Sequence, residues 1–212
     1  MNPTDTTVHS SQRPLAVVSD YFKGSAATIS SLSDHLGTIE RMAQGILASQ
    51  LLGGKLLVGG NGGSCADAEH FAGEMLCTFK DRSRRGFSAV SLTNNASAIT
   101  AWSNDFGFES YFRRQVESLG REQDVLFLIS TGGGDRASGA SMNLVEAADL
   151  AREKGMRLYS LSGKAGGELS RISHECVKVD SFETSHIQEA HIAIIHCICL
   201  AIDEMAKGPI AE

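Results

Sequence analysis

The sequence predicts an α/β protein built on a parallel β-sheet, and three observations carry that prediction. Short apolar runs recur at LLVGG (56–60), SAVSL (88–92), VLFLIS (125–130), RLYSLS (157–162) and CVKV (176–179). Most lack strict alternation, as strands covered on both faces do. Helix-compatible segments near 65–79, 107–119, 142–154 and 187–206 separate them. Strands alternating with helices imply βαβ units with right-handed crossovers. Finally, the pieces GGNGGS, TNN, STGGGD and SGKAGG follow successive strands. They should line one rim beyond the strand carboxyl ends, where such sheets bind ligands.

In chain order, residues 1–18 are polar and irregular and read as a loose arm. Over 20–52 the residues Ile29, Leu32, Leu36, Ile39, Met42 and Ile46 recur every three or four positions, the stripe of an amphipathic helix. Gly53-Gly54 ends that segment, since glycine is the usual residue past a helix end. The α/β core then runs over 53–206, and 1–212 is read as one domain without internal repeats or linkers.

Composition narrows the function classes. The chain has 212 residues, 42% of them hydrophobic and 21% charged, which excludes wholesale disorder. A formal net charge of −6 argues against nucleic acid as a partner. It leaves room for a small anionic ligand, because a local nest of N–H groups can overcome a weak global field. The five cysteines form no CxxC pair and read as reduced thiols in a cytoplasmic chain. No secretory leader and no membrane span are expected.

The glycine loops do not fit the common nucleotide signatures. Starting from Gly60, GxGxxG would need glycine at 65, which is Cys65. SGKAGG lacks the glycine five positions before Gly163, where Leu158 stands, and carries Ala165 where a phosphate loop needs Ser or Thr. The run from Ser130-Thr131 through GGGDRA to Ser138-Gly139-Ala140-Ser141 and the helix MNLVEAADLAREKG is different. Serine hydroxyls and free N–H groups at a helix start form an anion site. The same run is equally readable as a serine cap on a loop.

CADAEHFAGEMLCTF, after Ser64, reads as a helix on which His70 and Glu74 are spaced i, i+4 and share a face. That spacing suits ligation of one cation, although alone such a pair on a helix is more often a solvated His/Glu couple. HIQEAHIAIIHCICLAIDEM reads as an apolar helix interrupted by His186, His191 and His196, of which His191 reads as core. Gln188 and His196 stand about 12 Å apart if both are helical. Either Gln188 precedes the helix, or the two residues serve sites shared between subunits. Arg82, Arg84 and Arg85 read as a solvated basic run, and Trp102, Phe106 and Phe108 as aromatic packing beneath the rim.

Taken together, GNGGS (60–64), AEHFAGEM (68–75), SNDFGFE (103–109), LIST (128–131) with SGAS (138–141), AREKGM (151–156), LSGKAGG (161–167) and IQEAHIAIIH (187–196) resemble the bacterial phosphoheptose isomerases, enzymes of the sugar isomerase (SIS) domain class. The resemblance spans about residues 20–206. It implies a three-layer α/β/α fold with a five-stranded parallel sheet, preceded by a helical extension. It implies a homotetramer with active sites at subunit interfaces. The activity implied is conversion of sedoheptulose 7-phosphate to D-glycero-D-manno-heptose 7-phosphate through an enediol. Position by position, it implies one zinc ion per subunit held by His70, Glu74, Gln188 and His196, sugar contacts from Asn61, Gly62, Gly63, Glu74, Asn104, Asp105 and Gln188, and phosphate contacts from Ser130, Thr131, Ser138 and Ser141.

The chain departs from the family pattern twice. GGGDRA (132–137) is inserted into a phosphate loop that is otherwise compact; in another alignment Gly132 and Asp135 take family serine positions. Ser185 stands where the family commonly has aspartate, which bears on sugar orientation. For the isomerisation, Glu74 is assigned as base and His196 as proton donor to oxygen. Two other readings are a non-catalytic SIS protein that binds the replication initiator and an isomerase of another phosphosugar.

Overall fold

The computed structural model describes residues 12–207, and its centre is a five-stranded parallel sheet in the order β2-β1-β3-β4-β5. The strands are β1 (Leu56–Gly60), β2 (Ala89–Ser91), β3 (Val125–Ile129), β4 (Arg157–Ser162) and β5 (Glu175–Lys178). All five predicted apolar runs agree with them to within a residue at each end. Leu56, Val58, Val125, Phe127 and Ile129 pack on one face, while Leu57, Leu126 and Leu128 pack on the other. Both faces are apolar, which is why the runs do not alternate.

Three helices cover the first face: α2 (Leu36–Leu51), α3 (Gly63–Leu76) and α8 (Thr184–Met205). The second is covered by α5 (Tyr111–Leu119), α6 (Met142–Glu153) and the short α7 (Gly167–Ile172), with α4 (Ala96–Phe106) at its margin. The result is the expected three-layer arrangement. β1 lies between β2 and β3, so the chain leaves β1 in one direction and later returns past it in the other. The loops after β1 and β3 therefore flank the switch point, where open α/β sheets hold ligands.

Several expectations need correction. α1 runs Gln12–Ser30, so residues 12–18 are helical rather than a loose arm; residues 1–11 lie outside the described residues. The predicted helix over 20–52 is interrupted by a 3-10 turn at Ser31–His35. α4 was not foreseen, because ASAITAWSNDF has only scattered apolar residues and none of them is buried. Asn95 caps it by accepting from the Ala98 amide, and so accounts for TNN as a helix start. By length and apolar composition α8 could cross a membrane. In the fold one of its faces is core instead, with Ile187, Ile194, Ile195, Ile198 and Ile202 buried. Tyr21 of α1 donates to Glu189 of α8 and anchors the N-terminal helix on the core.

Candidate active site

α3 starts directly beyond β1 and places His70 and Glu74 one turn apart on the same face. α8 brings His196 against them. The Nε2 atoms of His70 and His196 are 3.0 Å apart, and His70 Nε2 is 3.4 Å from Glu74 Oε1. Phe79 stacks on the His196 ring at 5.6 Å and limits its rotation. The carboxyl of Asp67, one turn ahead of His70, is pushed up to about 6 by burial, against the opposing pull of His70.

Gln188 does not join this group. α8 begins at Thr184, so Gln188 is already helical and lies about two turns, or ~12 Å, from His196. A side chain at Gly63 would overlap the Gln188 carboxamide, which places Gln188 over the start of α3. α3 and α8 thus meet at two separate polar points, Gly63 with Gln188 and His70 with His196. Of the two readings left open by spacing, the unformed helix is removed.

Two imidazoles and a carboxylate are donors that suit zinc. His196, His70 and Glu74 form a chain rather than a closed cage, and among the described residues no cluster of three His, Cys, Asp or Glu side chains encloses a metal position. The donor types fit a zinc ion, with one ligand short of the usual four.

The basic run is not all solvated. The Arg84 side chain is 3% exposed. Its guanidinium donates to the carbonyl oxygens of Glu74 at 2.9 Å and Met75 at 3.3 Å, fixing the last turn of α3. Sequence patterning missed this because a single buried arginine within RSRR leaves no periodic trace.

A second locus lies at the switch point. A cavity of about 150 Å³ is lined by Asn61, Phe108, Glu109, Ser141 and Asn143, among others. It brings together Asn61, an expected sugar contact, and Ser141, an expected phosphate contact. Ser141 has a left-handed backbone, φ 53°, immediately before α6. Ser130 is buried and its hydroxyl accepts from the Gly133 amide, and the Ser138 hydroxyl donates to Asp135 Oδ2 at 2.8 Å. Thr131 is half-buried beside them. Asn104 and Asp105 sit on exposed α4, where the Asn104 amide donates to Asp105. Asp105 lines a different cavity, with Trp102, Phe106, Tyr111 and Arg114. Phe106 and Phe108 are exposed, yet Phe106 lies against Trp102 and Phe108 against Tyr111 and Phe112.

The GGGDRA segment is built into the fold. Gly133 and Gly134 have φ of 72° and 78°, and their carbonyls accept from the Leu169 and Glu168 amides at the start of α7. Asp135 N–H donates to the Ala140 carbonyl, and Arg136 pairs with Asp149 at 2.8 Å. The end of SGKAGG therefore packs against a neighbouring loop. A side chain at Gly167 would run into the Gly132 and Gly134 carbonyls.

Residues 20–163 match the family model described as the SIS domain. The chain is 44% identical over 168 residues to phosphoheptose isomerase 1 of Campylobacter jejuni, covering 79% of this chain and 87% of that protein. It is 48% identical over 169 residues to the phosphoheptose isomerase of Geobacter sulfurreducens, covering 79% and 85%. Among solved structures, phosphoheptose isomerase GmhA from Neisseria gonorrhoeae superposes with a TM-score of 0.81 at 36% identity, over 90% of this chain and 98% of that one.

Proposed function

The chain belongs to the SIS domain family and, within it, to the phosphoheptose isomerases, and we propose on that basis that it interconverts sedoheptulose 7-phosphate and D-glycero-D-manno-heptose 7-phosphate for heptose biosynthesis. The observation that carries the reading is the run of contacts Glu74–His70–His196, which joins side chains of two helices distant in the sequence.

An aldose–ketose isomerase moves a proton between C1 and C2 through an enediol. It needs a base at the carbon acid and a proton source at the carbonyl oxygen. Glu74 is the base: its carboxylate is held by the i, i+4 geometry and by the Arg84 grip on its own carbonyl. His196 is the proton source. The two Nε2 atoms are 3.0 Å apart beside the carboxylate, within hydrogen-bond reach of each other, with the donor set by the tautomer. Asn61 with Gly62 and Gly63 orients the sugar, joined by Asn104 and Asp105. Ser141 with Ser130, Thr131 and Ser138 receives the phosphate, whose binding holds the reacting carbons in place.

His70, Glu74 and His196 would also hold the zinc ion, with Gln188 supplied by a neighbouring subunit of a homotetramer. When bound, zinc supplies polarisation of the carbonyl and the adjacent hydroxyl. The site of action is the cytoplasm. Sedoheptulose 7-phosphate incubated with the protein in deuterated water should gain deuterium at C1 or C2 and yield the aldose. No exchange and no aldose would remove the isomerase reading and leave a binding role. Faster turnover of another ketose phosphate would shift the substrate, not the chemistry.

A further inference from the structure

Asn143 was not among the residues expected to touch substrate, yet it holds one that was. It sits in the first turn of α6, beyond β3, and is 3% exposed. Across the crevice, Asn61 follows β1, the strand paired with β3. The two carboxamides bond reciprocally. Asn61 Nδ2 donates to Asn143 Oδ1 at 3.0 Å, and Asn143 Nδ2 donates to Asn61 Oδ1 at 2.8 Å.

The Leu144 amide, which Asn143 Oδ1 shares with the Ser141 carbonyl, sets the orientation of the pair. Asn143 Oδ1 also accepts from the Leu144 backbone amide at 3.0 Å, and only an oxygen can do that. Asn61 must therefore turn its NH2 toward that oxygen and its own oxygen toward the Asn143 NH2. After pairing, Asn61 keeps one N–H and one lone pair for other partners. Both residues line the small cavity that also holds Ser141 and Glu109.

We infer that Asn143 is a positioning residue that fixes the carboxamide of Asn61 in a single orientation, so that a donor and an acceptor meet the sugar hydroxyls in a set order. The inference rests on Asn61 being a sugar contact. A free asparagine could flip and satisfy either arrangement of hydroxyls; a locked one selects between them.

The test is a double-mutant cycle on the full-length enzyme with sedoheptulose 7-phosphate, using Asn143→Ala, Asn61→Ala and the pair. Asn143→Ala should raise KM by roughly tenfold, about one hydrogen bond in binding, with kcat changed far less. In the Asn61→Ala background it should add nothing further. If Asn143→Ala leaves KM unchanged, or raises it equally in both backgrounds, Asn143 does not act through Asn61 and the inference is overturned. If Asn61→Ala itself leaves KM unchanged, the sugar-contact reading falls and takes the inference with it. Should the alanine variant fold poorly, Asn143→Asp carries the same cycle: it keeps the acceptor for Leu144 and replaces the donor to Asn61 with a charged carboxylate oxygen.

Discussion

Arg84 and Asp203 form an ion pair in the interior, Nε to Oδ1 at 2.7 Å, with side chains 3% and 2% exposed. Asp203 Oδ2 also accepts the Lys80 and Asp81 amides, each at 2.9 Å. The pair ties α8 to the loop after α3, and Arg84 reaches back to the Glu74 carbonyl. It therefore fixes the spacing of the two helices whose side chains meet at His70 and His196. Arg84→Met leaves a carboxylate buried without its cation. It should cost about 3–5 kcal/mol in denaturant unfolding, and Arg84→Met with Asp203→Leu should cost less than Arg84→Met alone. A double variant weaker than the single one would mean that the pair is not the clamp.

Glu74→Gln keeps the size of the side chain and removes the base. Turnover should fall by roughly 10²-fold or more with the fold intact by circular dichroism. Retention of near-normal turnover would take Glu74 out of the proton transfer.

Ser141 borders the small cavity at the start of α6, so Ser141→Asp sets a carboxylate against the phosphate. KM for the sugar phosphate should rise by at least about tenfold, equivalent to some 1.4 kcal/mol of binding. Thermal stability should barely change. An unchanged KM would move the phosphate elsewhere.

Elemental analysis of the purified protein should find zinc, and a chelator should abolish turnover until zinc is restored. His70→Ala and His196→Ala should each weaken zinc by more than the tenfold to hundredfold typical of losing a mere supporting contact. Full zinc content in either variant would exclude that histidine as a ligand.

His191 is fully buried on α8, with Nε2 3.1 Å from the Ser162 carbonyl. Burial pushes its pKa down to about 4 from 6.5, against the smaller raising effect of that hydrogen bond. A depressed base favours folding above its unfolded pKa. The contribution is therefore present above pH 6.5 and lost as pH falls through about 4. His191→Gln, which can still donate to Ser162, should show a flatter stability profile between those two pH values. A profile parallel to that of the unmodified chain would locate the acid sensitivity in another group.

The sheet was legible because strands buried on both faces are written as unbroken apolar runs, and LLVGG and VLFLI are such runs. α8 was legible through its isoleucines. The pairing of His70 with His196 was readable only through family resemblance, since spacing within either helix says nothing about the other. Three features left no local mark at all. Arg84 looks like its exposed neighbours, Asn143 looks like an ordinary first-turn residue, and the position of Gln188 depends on where α8 begins. Each is decided by a partner distant in the sequence.

The seating of Gly133 and Gly134 on the start of α7 means that two stretches some thirty residues apart share one backbone joint. Neither is independently replaceable. A chain with a shorter first stretch would have to rewrite the second as well, because the Glu168 and Leu169 amides would lose their acceptors. In grafting experiments between relatives, the residues from Gly132 to Ile172 should be exchanged as a single cassette.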